Sequence, residues 1–172
     1  SNLSSSRALK DVTEAYGQQY HAAAVGEVNV VAEMKRTHSV IGGEGNGGVI
    51  YPESHYGRDA LVGVGLFLSH YVAQSKKMTE LKSTYPPYFI SKNKMTLSPD
   101  MDVDKILEGL KERYATEKVT DIDGVKIDFA QGWVHLRKSN TEPIIRIYSE
   151  AKDEAAANQL AEDVIKVAKS LY

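Results

Sequence analysis

Cysteine is absent from this 172-residue chain. That excludes a disulfide framework and any thiolate metal site, and it fits a reducing compartment such as the cytoplasm. An excess of one charge is also missing, since 21 Lys and Arg against 23 Asp and Glu leave a net charge of −2. No overall attraction to nucleic acid or to an anionic membrane follows from that balance. Long apolar runs are lacking too: the longest covers residues 60–68, far short of a bilayer crossing. No secretory signal opens the sequence, and Ser1 and Asn2 read as a cloning remnant, so the natural N-terminus is expected upstream. Internal repeats and low-complexity segments are absent. What remains is ordinary globular material, 42% hydrophobic and 26% charged, enough for one domain or two small ones.

Proline is scarce, with five in the chain, and two of them stand together at Pro86 and Pro87. That pair marks a linker between residues 1–85 and residues 86–172. In the first half, residues 3–16 read as a serine-capped helix with Leu9, Val12 and Tyr16 on one face and Gly17 as its stop. An extended piece follows at residues 20–23, and Val25 and Gly26 open a second helix to about Arg36. Residues 39–41 predict a short buried strand running into a glycine-rich loop at 42–48, and residues 49–51 resume the extended path. Residues 58–74 are helical and so apolar that the helix should be well buried. Helix and strand therefore alternate, as in an α/β layer. In the second half, residues 88–96 read as a strand, and Val103, Ile106, Leu107, Leu110 and Tyr114 recur at helical spacing. Val125, Ile127 and Phe129 alternate, as do Val134 with Leu136 and Ile145 with Ile147, with turns at Asp123-Gly124 and Gln131-Gly132. Leu160, Val164, Val167 and Leu171 form the stripe of a last helix. This half is α+β, an antiparallel sheet with helices on one face.

The densest chemistry lies between Arg137 and Arg146. Two guanidinium groups, the hydroxyls of Ser139 and Thr141 and the amide of Asn140 share this stretch, and Pro143 ends its turn. Arginine offers a planar fork that matches phosphate oxygens, and the neutral donors complete it. Capture of a small anion is the expected use, against the alternative of a solvated hairpin. The loop at 42–48 holds five glycines around Glu44 and Asn46. Glycine permits close approach of a ligand, while the two polar side chains suit hydroxyl groups better than phosphate. A flexible hairpin loop is the competing reading. Asp100, Asp102 and Asp104 lack the glycine and distal glutamate of a calcium loop and read as the start of a helix. Asp121 and Asp123 belong to a hairpin turn. His21, His38, His55, His70 and His135 show no metal-ligand spacing, and Ser54 beside His55 has no nucleophile elbow around it. Serines 4, 5 and 6 read as helix caps. No catalytic nucleophile and no metal site is expected from these residues.

Two loops in this order resemble the α-D-phosphohexomutase family, which includes phosphoglucomutase/phosphomannomutase and phosphoglucosamine mutase. Gly43, Glu44, Gly45, Asn46 and Gly47 are similar to the G-E-x-S-G sugar-binding loop of the family's third domain. Arg137, Lys138, Ser139, Asn140, Thr141, Glu142 and Pro143 are similar to the R-x-S-N/G-T-E-P phosphate-binding loop of its fourth. Val25, Gly26 and Glu27 resemble a V-G-x segment of the sugar site. The resemblance covers nearly the whole chain. It implies a truncated α/β third domain followed by a complete fourth domain of TATA-binding-protein-like fold.

The resemblance also implies a function. Such enzymes interconvert hexose 1-phosphate and 6-phosphate through a phosphoserine and a bisphosphate intermediate, using Mg2+ and hexose 1,6-bisphosphate. The family's T-A-S-H-N-P serine motif and D-G-D-x-D-R metal loop are both missing here, so those duties would fall to N-terminal domains of the same protein. This chain would bind a hexose phosphate, with no nucleic acid or membrane partner, and would be inactive alone. Arg137, Ser139, Asn140 and Thr141 would clamp the remote phosphate. Glu44, with Asn46, Gly45 and Glu27, would meet the sugar, and Arg146 would contact phosphate or brace Glu142, the latter being favoured. Asn46 departs from the usual serine and Gly48 from a common histidine, so the preferred sugar is open. Asn140 favours the glucose/mannose type over the glucosamine type. A non-catalytic phosphosugar-binding module is the alternative.

Overall fold

Serine or aspartate side chains cap most of the helices. The computed structural model describes residues 1–98, 101–139 and 141–172, which form two units, Ser1–Pro87 and Tyr88–Tyr172. In the first, helix α1 is Arg7–Ala15, and the hydroxyl of Ser6 accepts from the amide of Ala8 at 3.2 Å. The helix starts later than its sequence pattern suggests because the preceding backbone is used elsewhere. Asn2 and Ala23 form a parallel bridge, with the Leu3 amide donating to the Ala23 carbonyl at 2.9 Å. Helix α2, Glu27–Thr37, buries Val30 and Met34 against Ala23 and Ile50. Strands β1 (Gly42–Gly43), β2 (Val49–Tyr51) and β3 (His55–Arg58) make an antiparallel sheet in the order β1-β2-β3. Helix α3, Ala60–Gln74, is capped by Asp59, whose carboxylate accepts from the Val62 amide at 2.9 Å, and α4, Met78–Lys82, buries Leu81.

Two expectations for this unit need correction. Residues 39–41 are not a buried strand: Val40 is 77% exposed and Ile41 also faces solvent. The strand lies one step on, at the glycine pair, where Met34 packs so close that a side chain at Gly42 would meet its sulfur. Helix α3 has no buried residue, and Leu61, Val64, Leu68 and Val72 are exposed. Its apolar residues surround the helix without favouring one stripe, and the small sheet of this unit cannot cover them all.

The second unit is a five-stranded antiparallel sheet in the order β4-β8-β7-β6-β5. Its strands are β4 (Phe89–Thr96), β5 (Lys118–Thr120), β6 (Val125–Asp128), β7 (Gly132–Lys138) and β8 (Ile144–Ala151). Helix α5, Val103–Arg113, is capped by Asp102, which accepts from the amides of Asp104 and Lys105, so that aspartate acts as a helix start. Asp100 lies outside the described residues. Helix α6, Glu154–Lys169, is capped by Asp153 through the Ala156 amide at 2.8 Å. One cluster joins both helices to one sheet face, with Ile106, Leu110, Ile127, Val134, Leu136, Ile145, Ile147 and Val164 essentially inaccessible. Truncating one such Leu or Ile to alanine costs roughly 2–5 kcal/mol. Alternation then sends the remaining strand residues to the opposite face. Gly124, at φ 66°, makes the β6 turn, and a Cβ there would strike the Leu136 carbonyl. Among the described residues no helix is long and apolar enough to cross a membrane.

Candidate functional site

Each unit holds one candidate site. In the second, β7 and β8 pair so that Arg137 and Arg146 are direct cross-strand partners on the face away from the helices. Like charges placed opposite one another destabilise a sheet unless something neutralises them. Glu142 serves Arg146, accepting from Nη2 at 2.8 Å. Among the described residues Arg137 forms no ion pair, and its Nε is buried without a hydrogen-bond partner. A buried guanidinium N–H without an acceptor is costly, and an incoming anion would remove the cost.

The connecting loop supplies further donors. Ser139 is buried, and its amide donates to the Ile144 carbonyl at 3.0 Å, extending the ladder into the loop. Its hydroxyl lies 3.5 Å from that of Thr141, and the Thr141 amide approaches Ser139 Oγ at 3.4 Å. Both contacts are long, so these donors are held near one another without being strongly committed. Asn140 lies outside the described residues. The Leu97 amide donates to the Pro143 carbonyl at 2.9 Å, tying the exit of β4 to the loop.

Behind Arg137 the same face is braced by buried polar groups. Trp133 Nε1 donates to Glu150 at 2.8 Å, and Lys126 sits 4.3 Å from the Trp133 ring centre. His135 Nε2 lies 2.7 Å from the Asp123 carbonyl. Burial pushes the His135 pKa down to about 4, so the ring is neutral at pH 7 and Nε2 carries the donated proton. A neutral histidine two residues from Arg137 adds no further charge to the row.

In the first unit, the loop after β1 closes through the Glu44 amide, which donates to the Gly48 carbonyl at 2.9 Å, with Gly47 at φ 92°. Glu44 Oε1 accepts from Asn2 Nδ2 at 3.0 Å and from the Gly26 amide at 3.1 Å. One carboxylate oxygen thus fixes the loop to the start of α2, and no described bond engages the other. Asn46 is exposed, and its Oδ1 accepts from the Gly48 amide at 3.1 Å, while Gly45 passes against Ser5. Glu27 is committed differently: it pairs with Arg58 Nε at 2.7 Å and accepts from the Arg58 amide. A cavity of about 460 Å³ lies here, lined by Glu27, Gly47, Gly48, Gly57, Arg58 and Asp59. Glu44 lines an adjoining hollow that shares Gly47, Gly48 and Val49 with this one. Arg58 and Asp59 escaped the sequence reading, because only the fold brings them beside Glu27. Among the described residues no three His, Asp or Glu side chains meet in a group that could hold a metal.

Comparison with known proteins places both units in one family. Residues 1–88 match the phosphoglucomutase/phosphomannomutase alpha/beta/alpha domain III, and residues 92–167 match the C-terminal domain of the same family. A phosphoglucosamine/phosphogalactosamine mutase of Sulfurisphaera tokodaii is 36% identical over 96% of this chain, which spans 37% of that relative. A phosphoglucomutase/phosphomannomutase of Thermococcus kodakarensis is likewise 36% identical over 96% of this chain and 36% of its own length. The crystal structure of a phosphoglucomutase/phosphomannomutase family protein from Burkholderia thailandensis superposes with a TM-score of 0.79 at 22% identity, covering 99% of this chain and 36% of that one.

Proposed function

The chain belongs to the phosphoglucomutase/phosphomannomutase family, and from that premise we propose that it forms the substrate-gripping part of a phosphohexomutase. The reaction proposed for the whole protein is interconversion of hexose 1-phosphate and hexose 6-phosphate. Such a reaction needs one phosphate held away from the chemistry while the sugar is gripped in two opposed orientations. Arg137, Ser139, Asn140 and Thr141 take the phosphate in this reading, with Arg146 holding Glu142 in place. The observation that carries it is the buried, unpartnered Nε of Arg137 beside a loop of uncommitted donors. Charge-assisted bonds to a phosphate dianion would satisfy that group, and fixing the substrate lowers the entropy cost of the later step. Glu44, with one oxygen available, takes sugar hydroxyls, aided by Asn46 and Gly45, while Glu27 acts through Arg58.

Phosphoserine and Mg2+ supply phosphoryl transfer in the full reaction we envisage. Among the described residues no group of His, Asp or Glu fits the metal, and in this reading the phosphoserine and the metal loop belong to a part of the protein outside this chain. The isolated chain should therefore bind without turnover. The glucose/mannose type is the reading preferred on Asn140, with the amino-sugar type as its competitor. Calorimetric titration of the chain with glucose 6-phosphate tests the phosphate assignment. Binding that is lost in Arg137→Met supports it, and equal binding by the two proteins overturns it.

A further inference from the structure

The strand register carries the cationic row one strand further than the loop motif. In β4, Lys94 is the direct Cα partner of Arg146, which in turn faces Arg137 across β7 and β8. The three positions lie on the same face, because Met95 and Ile145, their alternating neighbours, belong to the core beneath. Adjacent strands sit about 4.8 Å apart, so Lys94 and Arg137 are roughly 10 Å apart at the backbone. Side chains of this length can converge on one anion across that gap.

Lys94 stands on β4, an edge strand of the sheet, where a lysine also discourages edge-to-edge pairing. Lys94 is exposed, and no ion pair to it is formed among the described residues. The nearby charges are Lys92, which rests over the Tyr148 ring at 5.5 Å, and Glu142, already bound to Arg146. Three cations in a row with one carboxylate between them is an unfavourable arrangement for an empty sheet. The chain as a whole carries a net charge of −2, so the row is a local concentration and not a general excess. The bond from Leu97 to Pro143 fixes the end of β4 against the same loop that holds Ser139 and Thr141.

We propose that Lys94 is a further binding residue of this site, closing the clamp on the substrate's phosphate from the β4 side. This rests on the phosphate reading of Arg137. A lysine acts here as a point charge, adding attraction to the dianion without fixing its orientation, which the arginine fork does.

The test is calorimetric titration of the 172-residue chain with inorganic phosphate and with glucose 6-phosphate over a range of salt. Lys94→Met should weaken both ligands roughly tenfold and flatten the salt dependence, and Lys94→Arg should restore most of the affinity. Wild-type affinity in Lys94→Met, alongside lost binding in Arg137→Met, would overturn the role of Lys94 and leave the phosphate reading standing. No binding by the unsubstituted chain, or binding untouched by Arg137→Met, would overturn both.

Discussion

His135 shows at the level of one residue how this sheet face is tuned. Its pKa is lowered chiefly by burial, opposed by the bond to the Asp123 carbonyl. The unfolded chain takes up this proton near pH 6.5, whereas the folded chain resists until about pH 4. Below pH 6.5 the unfolded state thus binds more protons, and stability falls as pH drops through this window. The loss should reach roughly 2–4 kcal/mol at its acid end. Urea titrations followed by fluorescence of the sole tryptophan, the buried Trp133, will read it. His135→Gln should flatten the slope between pH 6.5 and 4, and an unchanged slope would assign it to other groups. Residue-level signals also divide by how far they reach along the chain. Arg137, Ser139 and Thr141 stand out in the sequence as candidates because they fall together in one short loop. Lys94 does not, because its place beside Arg146 depends on which strands pair, and a lone lysine in a strand carries no mark of its partner. Arg58 was hidden for the same reason.

At the scale of elements, pattern and burial part company. Alternation at Val125 with Ile127 and at Ile145 with Ile147 located strands whose one face meets α5 and α6, so pattern and burial agree there. Leu9 and Val12 in α1 and Tyr16 at its C-terminal cap follow a helical period just as well, yet all three are exposed. Period is a property of the chain, while burial depends on what covers it. Residues 39–41 have the higher strand propensity, yet it is Gly42 and Gly43 that pair with Ile50 and Val49, with Met34 packed close on Gly42. The same distinction predicts energies within the first unit. Leu61→Ser in α3, at a site 84% exposed, should change stability by less than about 0.5 kcal/mol. Ile50→Ala in β2, fully buried, should cost roughly 2–5 kcal/mol. Urea unfolding followed by circular dichroism compares them, and a large loss for Leu61→Ser would show that α3 is covered in solution.

For the whole molecule, the two units carry complementary chemistry. In the proposed reading, one offers a Glu44 carboxylate oxygen to hydroxyl groups, and the other offers a cationic row to phosphate. The chain spans 36–37% of the length of its relatives from Sulfurisphaera tokodaii and Thermococcus kodakarensis. Binding without transfer is the share of the work proposed for it. Steady-state kinetics of Arg137→Ala in the full-length protein tests the central proposal most directly. We predict a KM for hexose phosphate raised by roughly ten- to a hundredfold, as loss of a charge-assisted clamp implies. A KM equal to that of the unsubstituted protein would contradict it.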